Sequence, residues 1–176
     1  MKRSLGLLVA LGASLLGLGC DGGDGDEAEK PCVFRATGAV TRSGSCEVPT
    51  LTHSFRHGDL SFSLLTPEGA SDLLFLGVGM HGEPSVGSYT GRSEQVRCSG
   101  LVREGSKDWS PYDWDEVTGE VLEGSCTLTL TQVELVSETP YVKTYRFQGN
   151  VRAHLLPLES TGATGTVDLE ADFVVE

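Results

Sequence analysis

Apolar and polar side chains alternate with a period of two along most of this chain. Val167, Leu169, Ala171, Phe173 and Val175 fall on one side, and Asp168, Glu170, Asp172 and Glu176 on the other. Upstream, Tyr145, Phe147, Gly149, Val151, Ala153 and Leu155 alternate with Arg146, Gln148, Asn150, Arg152 and His154. Cys126, Leu128 and Leu130 alternate with three threonines, and Leu60, Phe62 and Leu64 repeat the pattern. A helix turns 100° per residue and would scatter these side chains around its axis. A strand places them on one buried face. The phase slips after Leu130, since Val133 and Leu135 have the other parity, which predicts a β-bulge near Thr131-Gln132. The run from Leu73 to Met80 is apolar at both parities and predicts a central strand.

Turn formers separate these runs at His57-Gly58-Asp59, Pro67-Glu68-Gly69, Gly82-Glu83-Pro84, Glu104-Gly105-Ser106, Glu123-Gly124-Ser125, Glu138-Thr139-Pro140 and Ser160-Thr161-Gly162. No long stretch carries a 3.6-residue period, and 23 Gly with 7 Pro leave little room for long helices. The expected fold is all-β: one antiparallel β-sandwich, or flattened barrel, of about eight to ten strands over residues 32–176.

The first 19 residues read differently. Met1-Lys2-Arg3 is basic, Ser4–Gly19 is uncharged and apolar, and the run ends at Gly17-Leu18-Gly19-Cys20. The apolar stretch is short for a membrane span and suits a secretory signal. Its last four residues resemble the lipobox of bacterial lipoproteins, with Gly17 where Leu is commonest, which implies lipidation of Cys20. The alternative is a plain cleaved signal with a stray cysteine. Residues 20–31 hold an acidic, glycine-rich segment with nothing to bury, expected to act as a flexible linker. Asp21, Asp24 and Asp26 lack the glycine spacing of a helix-loop-helix calcium site.

Five cysteines stand at 20, 32, 46, 98 and 126. With Cys20 taken by lipid, the remaining four make two disulfides in an exported chain, with three possible pairings. Joining sequence neighbours gives Cys32–Cys46 and Cys98–Cys126. The parity of Cys32, Cys98 and Cys126 points their sulfurs inward. No C-x-x-C spacing supports zinc.

The familiar catalytic motifs are absent: no G-x-S-x-G, S-x-x-K or H-E-x-x-H, and no glycine-rich loop leading into a helix. His53 and His57 would stand about 13 Å apart on a strand, too far for one ion. His81 and His154 have no nucleophile nearby in sequence. The chain therefore reads as non-catalytic and without a cofactor. A hydrolase using Asp113 and Glu116 would need both acids in one cleft. The net charge of −12 argues against nucleic acid as a partner.

One segment stands apart. Residues 107–116 hold both tryptophans, a tyrosine and four acids around Pro111. Read as a loop, it offers Trp109, Tyr112 and Trp114 as aromatic anchors for a glycan or an envelope protein. It also offers Asp108, Asp113, Asp115 and Glu116 as weak calcium ligands. The competing reading has Trp109 and Trp114 folding back to cap the core, with the acids solvated.

Four motifs carry a family resemblance: Phe34-Arg-Ala-Thr-Gly-Ala-Val40, Gly87-Ser-Tyr-Thr90, Gly124-Ser-Cys-Thr-Leu-Thr-Leu-Thr131 and Gly162-Ala-Thr-Gly-Thr-Val-Asp-Leu-Glu-Ala-Asp-Phe173. Together they resemble small β-rich lipoproteins of the myxobacterial cell envelope, a family that supplies no catalytic residues. The resemblance implies a lipid-anchored sandwich in a bacterial envelope, attached to membrane through its lipid, with a structural or binding role. The alternatives are a lipocalin-like small-molecule carrier, and a glycan- or protein-binding module using the 108–116 segment.

Overall fold

The computed structural model describes residues 32–49, 54–56, 59–67, 74–91, 95–114 and 118–176. The signal segment, Cys20, the linker, His53 and His57 lie outside the described residues. Among the described residues thirteen strands follow in order: β1 Cys32–Gly38, β2 Arg42–Ser45, β3 Ser54–Arg56, β4 Asp59–Leu65, β5 Leu74–His81, β6 Gly87–Thr90, β7 Val96–Glu104, β8 Lys107–Ser110, β9 Tyr112–Trp114, β10 Val121–Glu123, β11 Ser125–Glu138, β12 Lys143–Pro157 and β13 Val167–Val175. A 3-10 turn, Glu159–Thr161, joins the last two. The surplus over the eight to ten expected comes from strands of three or four residues, too short for a two-residue rhythm to be read.

The architecture is all-β and antiparallel. One layer runs β2-β1-β13-β12-β11-β6, and the other β3-β4-β5-β7-β8. Strand β12 joins them at both of its ends: Lys143 pairs with Phe55 of β3, and Leu156 and Pro157 pair with Ser110 and Trp109 of β8. The circuit β12-β3-β4-β5-β7-β8 is thereby closed, so the sandwich is also a flattened barrel. Strands β9 and β10 form a separate two-stranded ribbon.

The alternating residues meet between the layers. Leu60, Phe62 and Leu64 of β4 are buried, as are Tyr145, Phe147, Val151, Ala153 and Leu155 of β12 and Val167, Leu169, Ala171, Phe173 and Val175 of β13. Phe62 packs against Phe147 at 5.3 Å and Phe173 at 4.9 Å between ring centres, so three aromatic rings fill the space between the layers. Each such side chain contributes about 1.5–3 kcal/mol through burial. Both expected disulfides are formed. Cys32–Cys46 closes the β1–β2 hairpin, and Cys98–Cys126 ties β7 to β11 across the core.

Two expectations need refinement. Strand β5 is central, between β4 and β7, but it is not apolar on both faces in effect. Leu74, Leu76, Val78 and Met80 point inward, while Phe75 is 38% exposed and the outer positions 77 and 79 are glycines. The bulge is where parity places it, between Leu130 and Gln132, and it returns Val133 to the core. A second irregularity, between Leu135 and Ser137, was not legible.

Beyond the first bulge β11 and β12 continue as a hairpin arm. Its turn is tied by Thr139: its amide and hydroxyl both donate to the Val142 carbonyl, and its hydroxyl oxygen accepts from the Val142 amide. Glu83, from the β5–β6 connection, accepts hydrogen bonds from Lys143 Nζ at 2.7 Å and Tyr145 Oη at 2.5 Å. The Lys143 and Tyr145 donors hold the Glu83 carboxyl below the usual carboxylate range. Burial, aided by Glu83, pushes the Tyr145 hydroxyl up to about 12.

Candidate functional site

The segment expected to be an aromatic loop is instead two short strands around Pro111. In β8, Trp109 pairs with Val102 of β7 on one side and Pro157 of β12 on the other. It is 2% exposed, and its indole Nε1 donates to the Gly165 carbonyl at 3.0 Å. Trp109 is therefore core and is unavailable as a surface anchor. For Trp109 the core-capping reading holds and the anchor reading does not, because the contacts that bury it come from residues about fifty positions downstream. Those contacts leave no local pattern.

Asp108, offered above as a weak calcium ligand, is half of a lock with Arg103. It is buried, and its carboxylate takes a two-pronged grip from Arg103, Nε to Oδ1 at 2.7 Å and Nη2 to Oδ2 at 2.8 Å. The Arg103 guanidinium holds its carboxyl below the ordinary range against the opposing effect of burial. The Asp108 amide donates to Thr161 Oγ1, and its carbonyl accepts from the Leu158 amide. Asp113 stands opposite Leu122, one residue out of phase with Tyr112. Asp115, Glu116 and the side chain of Trp114 lie outside the described residues. Among the described residues no three acids, histidines or cysteines cluster as a metal site would require.

Tyr112 has a different fate. Half-buried, it lines a cleft of about 1180 Å³ at the end of the sandwich, together with Thr90, Arg97, Glu123, Thr127 and His154. The Cys98–Cys126 disulfide and Gly124 also belong to its wall. Gly124 is dictated by close approach: a Cβ there would stand 1.9 Å from the His154 carbonyl oxygen. Its amide donates to the Pro111 carbonyl, which sets the ribbon of β9 and β10 beside the sheet and leaves the cleft between them.

A second hollow of about 520 Å³ shares Ser125, Thr127 and His154 with this cleft. It spreads over the outer face of β11, β12, β13 and β1. Cross-strand register sets that face in rows. Thr37, Asp168, His154 and Ser125 form one row, and Arg35, Glu170, Arg152, Thr127 and Thr90 the next. His154 Nδ1 lies 2.7 Å from Asp168 Oδ1. Arg152 donates twice to Glu170 Oε1, at 2.9 and 2.7 Å, which lowers the Glu170 pKa. Fixed donors and acceptors thus surround an open cleft with one aromatic ring on its wall. Such a surface can hydrogen-bond a hydroxyl-rich ligand. His154 and Arg97 were missed as site residues because strand pairing, not sequence spacing, brings them beside Tyr112. Compared with family models, curated proteins and solved structures, the chain matches none.

Proposed function

We propose that this chain is a lipid-anchored lipoprotein of a bacterial envelope that holds a hydroxyl-rich ligand of glycan type, without turning it over, in the cleft beside Tyr112. The observation that carries the anchoring is the use of the cysteines. Cys32, Cys46, Cys98 and Cys126 are all consumed in disulfides, which leaves Cys20 as the one thiol over, at the end of an export signal. Two disulfides also suit an oxidising compartment outside the cytoplasm. A diacylglyceryl thioether supplies two chains, enough for stable attachment where a single chain is marginal.

The ligand assignment rests on what lines the cleft. Arg97, Glu123, Thr127 and His154 offer both donors and acceptors, and Tyr112 offers a ring against which a sugar can stack. The carrier alternative draws no support from the interior, where Phe62, Phe147 and Phe173 occupy the space a lipocalin-type ligand would need. Two experiments test the reading. Cys20→Ser should move the protein from the membrane to the soluble fraction, or leave its signal uncleaved. A variant still extracted only by detergent contradicts lipid anchoring. Titration of the purified chain with envelope oligosaccharides should give saturable binding that Tyr112→Ala abolishes, and binding unaffected by that change contradicts the site.

A further inference from the structure

The cleft beside Tyr112 continues onto the open sheet. Through Ser125, Thr127 and His154 it passes into the second hollow, which reaches Arg35 and Thr37 of β1. Strand register lines up Thr90, Thr127, Arg152, Glu170 and Arg35 across five adjacent strands, β6, β11, β12, β13 and β1. Four strand spacings of ~4.8 Å make this row about 19 Å long. One sugar ring covers only a fraction of that length.

The floor of this trough is furnished for hydroxyl groups. His154 Nδ1 meets Asp168 Oδ1 at 2.7 Å, and Arg152 gives both of its hydrogen bonds to Glu170 Oε1. Among the described residues, Asp168 Oδ2, Glu170 Oε2 and His154 Nε2 enter no hydrogen bond of the protein. Each pair thus sets a nitrogen beside a spare carboxylate oxygen. A sugar hydroxyl, which donates and accepts, can use both at once. Arg35 at the far end and Arg97 at the cleft end are exposed, and among the described residues neither makes a hydrogen bond or an ion pair. Their guanidinium donors are open to a ligand. Arg35, Arg97 and Arg152 balance Glu123, Asp168 and Glu170, so the lining is close to neutral in a chain of net charge −12. Such a lining selects neither an anion nor a cation.

We propose that the ligand is an uncharged, extended glycan chain of about five sugar units, with one unit in the cleft beside Tyr112 and the rest laid across β11, β12 and β13 as far as Arg35. This rests on the glycan-binding reading of the cleft. The repeat of an extended β-1,4-linked chain is close to one strand spacing, so successive units meet successive strands. A glycan that coils would leave the row after a unit or two.

The purified full chain is titrated by calorimetry with β-1,4-linked N-acetylglucosamine oligomers, from the disaccharide to the hexasaccharide. Affinity should rise with each added unit, reach about a hundredfold over the disaccharide at the pentasaccharide, and then level off. Arg35→Ala should weaken the pentasaccharide about tenfold, as loss of a charge-assisted hydrogen bond does, and leave the disaccharide unchanged. Tyr112→Ala should abolish binding of both. A purely structural role for Arg35 would weaken both lengths alike, and that result overturns the path across the strands. So does a gain with chain length that survives Arg35→Ala in full. Equal affinity for disaccharide and pentasaccharide overturns the extended chain and leaves the cleft reading standing. No binding at any length overturns the cleft reading, and the chain with it.

Discussion

Trp109 and Tyr112 stand three residues apart on either side of Pro111, and their surroundings assign them opposite roles. The indole of Trp109 is packed where β7, β8 and β12 converge, and its one polar atom is satisfied by Gly165. Trp109→Ala should cost about 3–5 kcal/mol, as large aromatic truncations in a core do. Tyr112→Ala, on the cleft wall, should change stability by less than about 1 kcal/mol. Urea denaturation of the two variants checks both, and a large loss from Tyr112→Ala would place its ring in the core. The lock on Asp108 predicts a pH dependence. Its pKa is depressed in the folded chain, chiefly by Arg103, so its contribution is full above the ordinary value of 3.8 and fades as pH falls through the lower folded value. Arg103→Met should therefore destabilise the protein most at neutral pH. The gap from wild type should narrow below pH ~4, once the carboxyl is protonated in both chains. A gap that stays constant down to pH ~2 would mean that the pair is not the source.

At the scale of elements, the long strands were legible because each exposes one face and buries the other, which writes a two-residue rhythm directly into the chain. The bulge after Leu130 was legible for the same reason, since a phase slip between two buried sets has few other solutions. Gly149 is its counterpart on β12. A Cβ there would stand 2.1 Å from the Thr129 carbonyl oxygen, because the two backbones press together at the bulge. Gly149→Ala should cost roughly 1–3 kcal/mol by overpacking, read as a lowered urea midpoint. No loss would show that β11 yields there. The short strands β8 and β9 were not legible, because Pro111 and the acids around it carry the local signature of a loop. What makes them strands is pairing with β7, β12 and β10, together with the Asp108–Arg103 lock. The disulfide pairing followed from adjacency in sequence, and its physical basis is now visible: Cys98–Cys126 is the covalent tie between the two layers. Replacing both cysteines by alanine should cost about 2–4 kcal/mol. Equal stability of that variant and the oxidised parent would deny the bond its structural role.

The whole molecule has two unlike ends. At one, β1 begins and the β11–β12 turn carries the exposed Tyr141. At the other, the cleft opens beside Tyr112, Arg97, Glu123 and His154. Strand β12 spans both, with Lys143 near that turn and His154 on the cleft wall, roughly 36 Å apart at 3.3 Å per residue. None of this polarity could be read before the register was known. Sequence alternation shows which residues are buried but not which strands are neighbours or which end of a strand meets which loop. The proposed function joins this polar cleft to a lipid tether at Cys20. That arrangement depends on one modification, and mass spectrometry of the N-terminal peptide of the mature protein, isolated from bacterial membranes, tests it most directly. The account predicts that the mature chain begins at Cys20 and carries the added mass of a diacylglyceryl group. An unmodified Cys20, or a mature chain beginning at any other residue, would contradict it.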